Sequence, residues 1–459
     1  MKKFNELLIS NPSDLIFGTA PKPVKTRRGL VIGGGEVYPE LNFTLPAIVI
    51  GKDTYPEIKK HYKEIISGSL ERAMDLNSKG VIFEFETLIE MTQDPDLGVD
   101  LIKIMNELCE DYYQKYGFKS EIRLTPNDLR EFENPPKQRT SALLNKTMEL
   151  FDRGADAGGD LFSIESTGGK EICDEALMMC NIKEVVYSLA VLGVRDMQML
   201  WSKIVQLANQ KGKIPAGDTA CGFANTAMVL AEKKFIPKIF ASMVRIISTV
   251  RTLVAVEQGA VGPDKDCGYE GVFVKAITGT PISMEGKTAA CAHLSPLGNI
   301  AAACADLWSN ESVQNVKLLA GIAPVVYLEQ LEYDTRLFNE AAKHGKDSIL
   351  HLQKLLVGSD IHHDPQALIL SPENVIKISS AIVKGENYID AAIKGCLAGL
   401  DIIEEGVSSG QLKSNEMENM YIPTLRDELS MISIDENVLT EEILAGGNGT
   451  KFIPSEYGL

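Results

Sequence analysis

Between residues 29 and 330, short β-branched segments alternate with longer amphipathic ones, and a chain that repeats strand then helix has few folds open to it. GLVIGGGEVYPEL, GVIFEFET, EIRLTP, LFSIEST, IPAGDTAC, TLVAVEQGAV, TPISMEG and NVKLLAGIAPVVYL read in order as eight strands. Apolar periodicity predicts helices over 58–76 and 97–116, from Ala142, and from 171 towards 210. Eight parallel strands joined by helical crossovers close most simply into an α/β (β/α)8 TIM barrel. A chain of 459 residues exceeds the ~250 that such a barrel needs. Residues 1–28, broken by Pro12, Pro21 and Pro23, are therefore read as an N-terminal arm of loops and turns. Residues 331–459 are read as a helical C-terminal extension: TRLFNEAAKHG, DSILHLQKLLVGS, SPENVIKISSAIVKG and ENYIDAAIKGCLAGLDIIEEG carry helical periods. Ser371-Pro372-Glu373 has the makings of a helix start.

Charge narrows the partners. With 46 basic and 63 acidic residues the net charge is -17, and no basic run interleaved with aromatics points to nucleic acid or to an anionic membrane surface. The opening Met1-Lys2-Lys3-Phe4 leads into polar residues without the apolar core of a signal peptide, so a cytoplasmic home is expected. The eight cysteines, with no CxxC pair, read as thiols. Cys109, Cys180 and Cys304 sit in helical apolar patterns and read as small buried hydrophobes.

Cys221 and Cys267 differ, because they stand among Gly, Asp and Thr where packing explains little. In a TIM barrel all strand C-termini open on one face, so residues distant in sequence meet there. Glu165 in LFSIESTGG, Cys221 in IPAGDTACGF and Cys267 in AVGPDKDCGYEG stand at the ends of the expected fourth, fifth and sixth strands. Two thiolates and a carboxylate can hold zinc and leave one tetrahedral position for a substrate oxygen. Ser163 and Glu165 share a strand face, as do Glu84 and Glu86, and carboxylates turned into a barrel end need a functional reason. Asp218, Glu84, Glu86 and Glu257 stand, unranked, as groups to handle a proton. His344, His351, His362 and His363 fall in the C-terminal helical part and His61 in a helix, which suits a surface role. Gly286-Lys287-Thr288 lacks a glycine five residues before it, so it is no phosphate loop, and Gly33-Gly34-Gly35 reads as a flexible barrel loop.

DLFSIESTGGKE, IPAGDTACGFANTAM and GPDKDCGYEG resemble the zinc-site segments of the zinc-binding subunit of methanol:corrinoid methyltransferases, and the resemblance runs over most of the chain. It implies a TIM barrel with one zinc per chain held by Glu165, Cys221 and Cys267, and methanol at the open position. It also implies a corrinoid carried by a separate partner protein at the barrel mouth, and the expected assembly is a homodimer within a hetero-oligomer. Two other readings remain at this point. A zinc barrel methyltransferase could act on a thiol, although a carboxylate ligand favours an oxygen donor. A non-catalytic subunit could use zinc as a staple if His293 or Cys291 closed the fourth position.

Overall fold

The computed structural model of the chain describes residues 4–44, 48–286, 294, 296–313 and 317–459. Its strands are β1 Thr19–Lys25, β2 Val31–Gly34, β3 Tyr38–Thr44, β4 Val81–Glu86, β5 Ser120–Thr125, β6 Leu161–Ile164, β7 Ile214–Asp218, β8 Ser283–Glu285 and β9 Leu307–Val313. The last seven form one parallel sheet in the order β7-β6-β5-β4-β3-β9-β8.

The two-residue period of each strand sorts its side chains between helices and sheet interior. Val81, Phe83 and Phe85 of β4 join the large apolar cluster shared with the surrounding helices. Ile82 turns inward and meets Tyr38, Leu161, Ala216 and Leu307 from β3, β6, β7 and β9, together with Leu30 and Ile32. Side chains of five strands can touch one another only if the sheet curls. One step further along the strands the interior becomes polar: Arg123 donates to Glu40 Oε1 at 2.6 Å, to Ser163 Oγ at 2.7 Å and to the carbonyl of Pro263 at 3.0 Å, and Ser283 donates to Glu40 as well. Carboxylates fill the third level, at the strand C-termini.

Five expectations are corrected here. TLVAVEQGAV is no strand: residues up to Gln258 complete the helix Lys238–Gln258, where burial on nearly every side overrides the β-propensity of Val and Thr. That helix is long and apolar enough to cross a membrane, yet 94% of the qualifying stretch is buried inside the protein, so it is a core helix. NVKLLAGIAPVVYL is not the last strand either; β9 precedes it, Lys317–Leu318 pairs with Gly321–Ile322, and the helix Ala323–Lys343 follows. GLVIGGGEVYPEL divides into β2, which pairs antiparallel with β1, and β3, which enters the sheet. Residues 19–25 of the expected arm are therefore strand, and Gly33 and Gly34 belong to β2 rather than to a loop at the strand C-termini. This hairpin lays Leu30 and Ile32 under the sheet interior, and Arg28, 2% exposed, donates to Glu121 Oε2 at 3.0 Å.

The segment 261–266 runs between β7 and β8 without being a strand. Val261 N and Gly262 N donate to the carbonyls of Pro215 and Ala216 at 2.8 and 2.9 Å, and Glu285 N donates to the carbonyl of Asp266 at 3.0 Å. C-terminal helices cover the adjoining side: Tyr388–Ser408 crosses Lys238–Gln258 so closely that a Cβ at Gly399 would lie 2.4 Å from Ile246. Pro372–Val383 begins with Pro at its first position as expected, but Ser371 donates back to the carbonyl of Leu368 instead of capping it.

Replacing Arg123 tests the middle polar level. Arg123→Met leaves Glu40 buried without its cation, and the unfolding free energy should fall by ~3–5 kcal/mol, read from urea denaturation.

Candidate metal centre

Glu165 follows directly on β6, Cys221 lies three residues beyond β7, and Cys267 follows the 261–266 segment. One ligand atom from each, two sulfurs and a carboxylate oxygen, lie within 4.8 Å of one another. The tetrahedral edge of a zinc site with sulfur ligands is ~3.5–3.8 Å, so the three donors need only small movements to enclose an ion. Cys267 Sγ donates to Glu165 Oε1 at 2.9 Å. Burial, with Cys221 and Glu165 beside it, pushes the Cys267 thiol well above its usual range. A cation taking this place must therefore displace its proton.

Local structure holds the two cysteines. Cys221 begins a π-helical turn, Cys221–Asn225, an irregularity often found at functional sites. Asn225, one turn later, donates its side-chain amide to the carbonyl of Cys267 at 2.5 Å and approaches Cys221 Sγ at 3.7 Å. The two cysteine loops are thus tied to each other through one side chain.

Beside the three donors stands Lys265, 1% exposed. Its Nζ lies 2.6 Å from Asp266, 3.1 Å from Glu84, 3.2 Å from Glu86 and 3.4 Å from Glu165. Burial opposes its charge, but Asp266, Glu84 and Glu86 outweigh that and hold the ammonium protonated well above the usual lysine range. Lys265 in turn holds Asp266 below the usual carboxylate range against burial. Other acids of the cluster move the opposite way. Burial and Asp266 push Glu84 up, and burial followed by Glu86 pushes Glu165 up to about 7, although 29% of the Glu165 side chain is accessible. Glu311, at the end of β9, is likewise raised to about 7 by burial and Glu86.

Glu84 also accepts from Thr125 Oγ1 at 2.7 Å, and Glu86 accepts from Asn42 Nδ2 at 3.0 Å. Asp218 is on β7 but turns outward, accepting from Trp201 Nε1 at 2.7 Å, Ser166 Oγ at 2.8 Å and Arg251 at 3.3 Å. Glu257 is carried on the helix Lys238–Gln258, where it accepts from the Tyr388 hydroxyl at 2.6 Å, because the strand expected to present it does not form. His362 Nδ1 contacts the carbonyl of Gln411 and is not among the three converging ligands. Cys291 and His293 lie outside the described residues.

Lys265, Asp266 and Glu311 were not anticipated from the sequence. Lys265 had a signal: in an extended GPDKDCG it shares the face of Cys267 by the two-residue period. Glu311 has none, because β9 lies before the segment expected as the last strand.

The methanol-cobalamin methyltransferase B subunit model matches residues 1–458. The chain belongs to that family. It is 35% identical over 464 residues to the methanol--corrinoid protein co-methyltransferase of Methanosarcina barkeri (strain Fusaro / DSM 804), covering 100% of this chain and 99% of that protein. In structure it resembles the methanol:cobalamin methyltransferase complex MtaBC from Methanosarcina barkeri, with a TM-score of 0.94, 34% identity and 100% of both chains covered.

The raised acids give a test of the cluster in the metal-free protein. An acid whose folded value is about 7 against an ordinary 4.5 binds more protons folded than unfolded between those pH values, so its contribution to stability is lost as pH rises through that window. Glu311→Gln should flatten the decline of unfolding free energy between about pH 4.5 and 7, measured by urea denaturation across pH in the presence of chelator.

Proposed function

We propose that the chain is a zinc-dependent methyltransferase that takes the methyl group of methanol and passes it to the corrinoid of a partner protein. The observation that carries this reading is the convergence of Glu165, Cys221 and Cys267, in a chain whose family and full-length relatives bear the name of that reaction. The donor chemistry fits zinc: two soft sulfurs and one carboxylate make three protein ligands, the number that leaves a catalytic zinc open to a substrate. Zinc held there would act as a Lewis acid on the alcohol oxygen and weaken its bond to the methyl carbon.

The chain's own residues supply the rest. Methanol is a poor methyl donor because hydroxide leaves as the base of water, whose pKa is ~15.7, so a proton must reach the oxygen. Asp218 and Glu257 are engaged elsewhere, by Trp201, Ser166 and Arg251 in one case and by Tyr388 in the other. Glu84 lies deeper on β4 and is 1% exposed. Glu86, at the end of β4 with 37% of its side chain accessible, shares the Lys265 ammonium with Glu165, and proton delivery is assigned to it. Lys265 keeps these carboxylates from repelling one another apart. A flat macrocycle presented by the partner would meet the strand C-termini and exclude water from the oxygen.

The same reading takes the seven strands and the 261–266 segment together as the staves of a TIM barrel, residues 29–330, between an arm of 1–28 and a helical extension of 331–459. It includes a homodimer within a hetero-oligomer, housed in the cytoplasm.

Cys221→Ala and Cys267→Ala should lose zinc as measured by metal analysis, while Cys109→Ala and Cys396→Ala, buried in helices, keep one ion per chain. With methanol and a Co(I) corrinoid protein, the visible spectrum should turn to the methylated form only when this chain is present. Glu86→Gln should slow that change by ~10²-fold or more with zinc content intact. Turnover of a thiol without corrinoid would instead favour the thiol reading.

A further inference from the structure

We infer that Glu270 is a positioning residue for the metal centre, and that it sets the distance between the Cys221 and Cys267 loops. The inference rests on the metal-site reading above and adds to it a residue that touches none of the three donors. Glu270 lies three residues after Cys267, fully buried, in the turn that leads into the helix Gly271–Thr278. Its Oε1 collects donors from two other elements. Ala220 N, the amide just before Cys221, donates at 2.6 Å, Thr219 Oγ1 at 3.2 Å, and Thr252 Oγ1 of the helix Lys238–Gln258 at 2.9 Å. One carboxylate oxygen thus fastens the Cys267 loop to the Cys221 loop and both to a buried helix.

A second fact shows how tightly the loops are pressed. Gly268, next to Cys267, lies flat against Thr219 and Glu270: an added Cβ would stand 1.7 Å from Thr219 Oγ1 and 2.3 Å from Glu270 Oε2. No side chain fits there, so the approach of the loops is built into the sequence at Gly268. The neighbouring residue on the helix extends the bracket to the third ligand. Arg251 donates to Ser166 Oγ at 2.6 Å and to the carbonyl of Ser166, immediately after Glu165, and also to the carbonyl of Thr219 at 3.3 Å. Consecutive residues 251 and 252 of one helix therefore hold the loops of all three ligands. Three ligands carried on separate flexible loops would drift from the spacing that an ion needs. A bracket fixed to a core helix denies them this, so the metal meets ligands already at their spacing.

The three donors all sit on Oε1, and Glu270 Oε2 accepts no hydrogen bond within the described structure. Glutamine can therefore replace glutamate without losing an acceptor, whereas alanine removes all three bonds. The test uses the full chain, stripped of metal and titrated with zinc against a chromophoric chelator, and with Co²⁺ as a spectroscopic probe of ligand geometry. Glu270→Ala should raise the zinc dissociation constant by ~10–100-fold and alter the Co²⁺ ligand-field bands. Glu270→Gln should stay close to the unsubstituted protein in both. Thr252→Val, which keeps the helix packing and deletes one donor, should show a smaller rise in the same direction. Cys221→Ala reports separately on the site: if it bound zinc as tightly as the unsubstituted chain, the metal-site reading itself would fall. If Cys221→Ala loses zinc while Glu270→Ala keeps full affinity and an unchanged Co²⁺ spectrum, the positioning role is wrong and the site stands. Equal loss in Glu270→Gln and Glu270→Ala also overturns it, since the acceptor would not be what matters. Should Glu270→Ala fail to fold, an unchanged affinity in Thr252→Val overturns it.

Discussion

Lys265 carries a full charge to a place where 1% of its surface remains exposed, and the desolvation is offset by four carboxylates around Nζ at 2.6 to 3.4 Å. Removing either side of this arrangement would leave the other unsustainable. Without the ammonium, Glu84, Glu86, Glu165 and Asp266 would repel across a space a few ångströms wide. Without them, a buried lysine would lose its proton. The placement of Glu165 beside Cys221 and Cys267 depends on this balance.

The level below explains why the balance can exist there. Arg123 and Glu40 pair in the middle of the sheet interior with no exposed surface on either side chain, and Arg123 also reaches β6 and the 261–266 segment. Under that pair, Ile82, Leu161, Ala216 and Leu307 form the apolar floor, closed from beneath by Leu30 and Ile32 of the β1–β2 hairpin. The interior thus passes from apolar to ion-paired to predominantly acidic along the strand direction. The hairpin closes the apolar end of this gradient.

Outside the sheet, the helix Lys238–Gln258 is the element on which most depends. It is largely apolar, yet it carries Arg251 and Thr252, whose polar atoms reach the loops that carry Glu165, Cys221 and Cys267. C-terminal helices pack against its outer side. The last residues of the chain also reach back: the Tyr457 hydroxyl accepts from Gly169 N at 2.9 Å, in the loop that follows Glu165. Segments far from Glu165, Cys221 and Cys267 in sequence therefore bear on how rigidly those residues are held.

The local sequence by itself determined the strand–helix alternation, the segments of β4 to β8, and the choice of Glu165, Cys221 and Cys267 as residues that meet, although Cys267 follows an irregular segment and not the strand expected before it. Each rests on a short-range signal: a two-residue period, or a thiol set among glycines where packing gives it no purpose. Which apolar segments became strands near residues 250 and 320 was decided by tertiary structure. A run such as Leu253-Val254-Ala255-Val256 favours strand by propensity, but a helix buried on nearly all sides needs no polar face and leaves no periodicity to read. The partners of Lys265, the outward turn of Asp218 and the grip of Glu270 on the Cys221 loop were also decided there. Apart from the pairing of Lys265 with Asp266, those contacts join residues 17 or more positions apart, and no local pattern records which side of a curled sheet will face which.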